Sequence, residues 1–265
     1  MTPFSFQPHE HFYGNTEDGC VFGYTKRTGG LSQYPGESFN MALYIGDDSE
    51  NVNRHQDILA EEIGVTPDNW VLPIQKHGGN VAEVSSKDRG ANIRDLTDAL
   101  HDIDALYTYD ENILLTMNYA DCVPVYIYSR ANNFTALVHA GWKGTSKEIL
   151  INTLKAYDGH PADLVVVIGI SINQSHYEVD DRVISQLREE HLKDAVAGSG
   201  DGWLLDLKKV NRNQAESFGV DPVDIHVTPL GTEDTDRFFS FRLEKGQTGR
   251  ALAFIGRVAN DQRKF

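Results

Sequence analysis

The chain has 265 residues, 40% of them apolar and 24% charged, ordinary globular proportions that exclude disordered and fibrous classes. A formal net charge of −15 with no Lys/Arg-rich run argues against a nucleic-acid binder or a protein of anionic membrane surfaces. Two cysteines make no disulfide framework, and neither a secretory leader nor a membrane span is legible; a reducing cytoplasm is therefore expected, where a lone Cys is free to act as ligand or nucleophile.

In chain order, short runs rich in Val, Ile, Tyr and Thr, bounded by Gly, Asp, Asn or Pro, predict strands. They fall at 20–27, 69–75, 80–84, 103–108, 112–118, 123–129, 135–140, 163–170, 224–228 and 250–257. Four helices are predicted. The first covers about 50–63, capped by Asp48 or Ser49, with Val52, Leu59 and Ile63 as its apolar stripe and Gly64 as its stop. The second starts near Thr145 and Ser146 and carries Ile149, Leu150 and Leu154. The third covers about 180–191 with Val183, Ile184 and Leu187 inward, and the fourth about 207–218, ending at Gly219. Strands between 103 and 140 follow one another directly, which points to antiparallel or mixed pairing. With no repeat or linker visible, residues 1–265 read as a single α+β domain of mixed β-sheets with flanking helices.

Three segments place a soft or imidazole ligand at a strand end beside small residues: Gln75-Lys76-His77-Gly78-Gly79, Ala120-Asp121-Cys122-Val123-Pro124 and His139-Ala140-Gly141-Trp142-Lys143-Gly144. Glycines let backbone approach a ligand closely. Two His and one Cys thiolate suit a tetrahedral zinc with its fourth position open; read singly, a His at a strand end is more often a hydrogen-bonded structural residue, and a lone Cys is often buried and inert. The turn at 141–146 offers either an anion-holding helix start or simple N-capping by Thr145 or Ser146. Thr25-Lys26-Arg27-Thr28-Gly29-Gly30 is a second candidate anion loop or a polar turn.

TKRTGGLS (25–32), SFNMALYIGDD (38–48), ENVNRH (50–55), QKHG (75–78), YADCVPV (119–125), HAGWKGT (139–145), FFSFR (238–242) and TGR (248–250) occur in this order. Together they resemble the YfiH-like family, named for a polyphenol oxidase laccase domain and regarded as zinc-dependent purine nucleoside phosphorylases. The likeness covers nearly the whole chain. It implies a fold like the catalytic domain of cytotoxic necrotizing factor, and metal ligation by His77, Cys122 and His139. It also implies phosphorolysis of adenosine, inosine and methylthioadenosine, with deamination of adenosine. Lys143 stands where the family more often has Arg, which replaces a planar fork with a point charge; GISIN (169–173) lacks the family's Pro, and no Cys precedes Thr228. Arg27 and Lys143 are the expected phosphate contacts, Asn40 and Gln75 the expected ribose or base contacts, and Asp121 a general acid/base or a partner orienting a ligand His.

Purine nucleosides and phosphate are thus the expected partners, with the oligomeric state open. Three rivals stand beside this reading. His2Cys is also a blue-copper core, but a multicopper oxidase needs more clustered His than ten scattered ones, with His9-Glu10-His11 the sole HxH. A metal-free hydrolase would use Cys122 as nucleophile and His139 or His77 as base, for instance in editing peptidoglycan precursors. A regulatory subunit would bind nucleotide without turnover.

Overall fold

The computed structural model describes residues 4–33 and 38–258. Its strands form two six-stranded sheets and a small three-stranded one. The first large sheet runs Gln7–Pro8, Phe12–Glu17, Cys20–Thr25, Ala251–Arg257, Leu114–Tyr119, Trp70–Val71. The second runs Ile225–Val227, Leu164–Ile168, Val123–Ser129, Thr135–Ala140, Ala105–Thr108, Val81–Glu83. Pairing is mixed: most neighbours are antiparallel, whereas Trp70–Val71 lies parallel to Leu114–Tyr119 and Val81–Glu83 parallel to Ala105–Thr108. The α+β architecture expected from the sequence is the one observed.

The sheets pack face to face. Phe22, Tyr24, Leu115, Met117 and Ile255 from the first meet Tyr126, Tyr128, Leu137, Val165 and Val167 from the second. The outer face of the first sheet is covered by helix Ser49–Ile63, whose Leu59 and Ile63 pack on Val21, Leu114 and Phe254. The outer face of the second is covered by Ile149–Leu154 and Leu207–Phe218 against Val125, Ile127, Val138 and Val166. Sheets covered on both sides have strands that read as continuous apolar runs rather than alternations, and Val123–Ser129 and Leu164–Ile168 are buried at every position.

The first and fourth helices form where capping signals place them. Asp48 accepts from Glu50 N and Gly64 closes Ser49–Ile63 at φ 77°; Asp206 accepts from Lys209 N and Gly219 closes Leu207–Phe218 at φ 110°. Other expectations are corrected. The second helix begins earlier, as Trp142–Ser146 after Gly141, and Glu148 in a left-handed conformation (φ 59°) separates it from Ile149–Leu154. Thr145 and Ser146 therefore lie inside the helix, and Ser146 Oγ donates to Lys143 O instead of capping. The third is a short Asp181–Ile184 helix and a separate turn at Glu189–His191; Val183 and Leu187 are still buried, so irregular backbone meets the same apolar demand. The 69–75 strand shrinks to Trp70–Val71. The His9-Glu10-His11 segment is anchored: His9 stacks on Phe12 and His11 on Phe39.

Candidate metal centre

Asp104 organises the site. It is fully buried at the start of Ala105–Thr108. Its carboxylate accepts from the backbone N–H groups of Lys76 (3.1 Å), His77 (2.9 Å) and Gly78 (2.7 Å), curling that loop so that His77 adopts φ 59°. The same carboxylate accepts from His139 Nδ1 at 2.8 Å. With Nδ1 carrying the proton, His139 Nε2 is left as the ligand atom, the carboxylate–histidine arrangement that fixes tautomer and ring orientation in metal sites. Tyr119 packs edge-on against the His139 ring at 5.2 Å and is itself tied to Val138 O at 2.9 Å.

Cys122 enters from the turn before Val123–Ser129, opposite the end of Thr135–Ala140. Gly141 must be glycine here: a Cβ built on it would stand 2.7 Å from Cys122 Sγ and 3.4 Å from the His77 ring. The ligand atoms of His77, Cys122 and His139 all lie within 4.8 Å of one another. At that spacing the group could hold one metal ion; zinc bonds to N and S are about 2.0 and 2.3 Å. Burial pushes the Cys122 thiol up, but the His139 and His77 rings outweigh it and bring it down to about 6. Burial likewise lowers His139, yet Cys122 and Asp104 raise it to about 9. For Asp104 burial acts upward, while its bonds from His139 and the 76–78 backbone hold it at about 2. A thiolate beside two oriented imidazoles is a donor set that fits a borderline-soft divalent ion. Gly141→Ala is expected to keep the fold and lose metal, checked by elemental analysis beside far-UV circular dichroism.

The three residues open onto a cavity of about 640 Å³, within the roughly 300–1,000 Å³ of small-molecule sites. Its wall includes the apolar side chains of Tyr44, Leu72, Leu96 and Phe241 and the cations Lys76, Lys143, Arg242 and Arg250. Lys143 Nζ lies 5.6 Å from the Trp142 ring centre, Arg242 stacks over Tyr177 at 4.9 Å and Arg250 over Phe241 at 5.4 Å. Positive groups gathered in a chain of net charge −15 form a local field opposed to the global one.

The expected contacts divide. Lys143 lines the cavity. Arg27 does not: it donates to Thr235 O and Phe238 O, pairs with Glu244 at 2.9 Å and stacks on Phe239, so its Gly-rich turn is structural. Asn40 is fully buried and spends its amide on Ala42, Asp47 Oδ2 and Arg250 N. Gln75 lines the cavity, but its amide bonds both ways to the backbone of Asn118, at 3.0 Å each. Asp121, at φ 83°, orients neither histidine; its oxygens accept from Thr232 Oγ1 (2.6 Å), Ser240 Oγ (2.8 Å) and Arg242 N (2.6 Å). These bonds take three of its roughly four acceptor sites and give Asp121 an anchoring role at the wall of the cavity, which it also lines. Sequence reading missed Asp104, Arg242 and Arg250.

Residues 21–258 match the family described as multi-copper polyphenol oxidoreductase laccase, and the chain belongs to it. Within that family it is 48% identical over 258 residues to a protein of Staphylococcus aureus strain MRSA252 named purine nucleoside phosphorylase, covering 96% of this chain and 98% of that one. A Staphylococcus epidermidis protein of the same name is 48% identical over 239 residues, covering 89% and 90%. Among solved structures, YlmD of Geobacillus stearothermophilus superposes with a TM-score of 0.91 at 33% identity, covering 97% of this chain and all 100% of that one. The Bacillus licheniformis hypothetical protein YfiH gives 0.88 at 32% identity, covering 93% and 96%. None of the described helices is long and apolar enough to cross a membrane.

Proposed function

We propose that the chain, residues 1–265 acting as one unit, is a cytoplasmic zinc-dependent purine nucleoside phosphorylase. Adenosine, inosine or methylthioadenosine reacts with inorganic phosphate. The bond from C1′ to the purine nitrogen breaks with its electron pair passing to the base, a phosphate oxygen bonds to C1′, and the base leaves after taking up a proton. The products are the sugar 1-phosphate and free purine. The observation that carries this reading is the joining, in one cavity, of the His77–Cys122–His139 cluster, four cations and apolar side chains. The names of the relatives agree with it.

A zinc ion held by the three ligands supplies positive charge and Lewis acidity in the cavity. Two imidazoles, one thiolate and an open position make a zinc set. Copper shares the donors, but the other group of ligand type among the described residues, Glu10, His11 and Glu62, brings one further histidine. Lys143, on the cavity wall, places a mobile point charge against phosphate. Tyr44, Leu72, Leu96 and Phe241 offer the flat apolar surface a purine needs. Adenosine deamination in the same cavity needs water and no phosphate. Base release is therefore expected to stop in phosphate-free buffer while inosine formation from adenosine continues; base release at undiminished rate there would make the protein a hydrolase. Lys143→Ala should raise the phosphate KM by about tenfold, the worth of one charge-assisted contact, whereas Arg27→Ala should leave it unchanged.

A second reading has one observation in its favour. Cys122, His139 and Asp104 are arranged as nucleophile, base and orienting carboxylate, with His139 Nδ1 2.8 Å from Asp104. It requires full activity in verified metal-free protein.

A further inference from the structure

Buried tyrosine hydroxyls normally find a partner. Tyr119, Tyr126 and Tyr128 each do, on Val138 O, Gly23 O and Glu17. Tyr177 does not. It is 8% exposed, its ring belongs to the apolar cluster on the outer face of the second sheet, and its side chain lines the cavity. The hydroxyl makes no hydrogen bond to a described residue, yet it is not enclosed as the orphaned Tyr24 hydroxyl is. It is an open donor on the cavity wall rather than a sealed one. Burial pushes the phenol up, and the Cys122 charge adds to this against the pull of Arg242, so the hydroxyl keeps its proton at neutral pH.

The ring is held from two sides. Tyr177 precedes the short strand Glu178–Val179, which pairs with Gly202–Leu205, and its carbonyl accepts from Leu205 N at 3.0 Å. The Arg242 guanidinium lies over the Tyr177 ring at 4.9 Å, and its Nη1 donates to Glu178 O at 2.6 Å. The Arg242 backbone N–H is fastened by Asp121, next to Cys122. Nε and Nη2 of Arg242 bond to no described residue, and Arg242 lines the same cavity. A phenol O–H and a half-used guanidinium thus meet at one corner of the cavity, both offering donors. A negatively charged group made only of acceptors matches such a corner, and phosphate is one.

We propose that Tyr177 and Arg242 form an oxyanion clamp for inorganic phosphate, and for the sugar 1-phosphate that replaces it, the Tyr177 hydroxyl and the open N–H groups of Arg242 donating to phosphate oxygens. For the identity of the anion this rests on the phosphorolysis reading above.

The test titrates zinc-loaded protein with inorganic phosphate in the absence of nucleoside, beside phosphorolysis kinetics. Tyr177→Phe removes an oxygen that bonds to nothing in the described protein and keeps the ring beneath Arg242, so its thermal midpoint should match that of wild type. Phosphate binding should nevertheless weaken about tenfold, the worth of one hydrogen bond to a charged group. The phosphate KM should rise by the same factor, with the nucleoside KM unchanged. Arg242→Lys keeps the charge but gives up the planar fork and the stack; it should weaken phosphate binding at least as much, and it substitutes for Tyr177→Phe if that variant fails to fold. A tyrosine that only fills the core predicts unchanged phosphate binding in Tyr177→Phe. That result overturns the clamp, while phosphorolysis by wild type leaves the nucleoside reading intact. Phosphate binding that depends on Tyr177 in a protein that cleaves no nucleoside has the opposite meaning: the clamp stands and the phosphorylase reading falls.

Discussion

Replacing Cys122 with Ala is expected to give a folded protein with no bound metal and at least about a thousandfold less phosphorolysis, the rate equivalent of about 4 kcal/mol of transition-state stabilisation. The fold should survive because three apolar clusters hold it, and Cys122 packs only at the margin of one of them. Metal should be lost because two neutral imidazoles bring no negative charge to balance a divalent ion. His77→Ala and His139→Ala should share this outcome, each leaving two ligands. The shared outcome separates the metal reading from the nucleophile reading. Metal content of the three variants, together with wild-type turnover before chelation, after it and on zinc add-back, measures it. Full turnover by verified metal-free wild type overturns the zinc mechanism regardless of the variants.

Asp104→Ala should be nearly as damaging although the residue touches no substrate. Loss of an outer-shell carboxylate typically costs a factor of about 10–100 in metal affinity. Here the cost should exceed that range, because one carboxylate serves two ligands: it holds the His139 ring and, through three backbone N–H groups, the loop that carries His77. Breaking a buried charged network of this kind also destabilises by about 3–5 kcal/mol. Asp104→Asn should fall between, keeping one acceptor and its shape. The acid limb has a definite sign. The carboxyl is held at about 2, below its ordinary value of 3.8, so its contribution is whole above about pH 4 and drains away as pH falls toward about 2. Acid unfolding of Asp104→Ala should be flatter over that interval than that of wild type; identical acid limbs and equal zinc affinity would remove Asp104 from this role.

The His77–Cys122–His139 grouping was legible as a candidate because each member sits at a strand end beside small residues, a local pattern, and the family resemblance selected it from the structural alternatives. Asp104 was not: within Asp104-Ala105-Leu106-Tyr107 it reads as a strand residue, and its partners lie 26 to 35 positions away. Arg27 misled for the same reason. A cation in a Gly-rich turn looks like an anion loop until its carbonyl partners arrive from 208 and 211 residues further along. Helices Ser49–Ile63 and Leu207–Phe218 were read correctly because caps are local, whereas Trp142–Ser146 and Asp181–Ile184 are cut short by tertiary demands. Arg242 and Arg250 follow irregular backbone, where neither period announces a buried or pocket-facing side chain.

Asp121 carries a consequence for genetics. Its backbone leads directly into Cys122, and its carboxylate fastens Thr232, Ser240 and Arg242, more than a hundred residues later. An inactivating substitution there would pass, in a screen for lost growth, as the removal of a proton-transfer group. The geometry describes a rivet instead: without it the segment bearing Phe241 and Arg242 drifts from the sheet, and the cavity loses a side. Inactive alleles would then cluster at the rivet and at the two hydroxyl residues it grips, Thr232 and Ser240, a pattern of hinge-side damage that a map of chemical roles would not foresee.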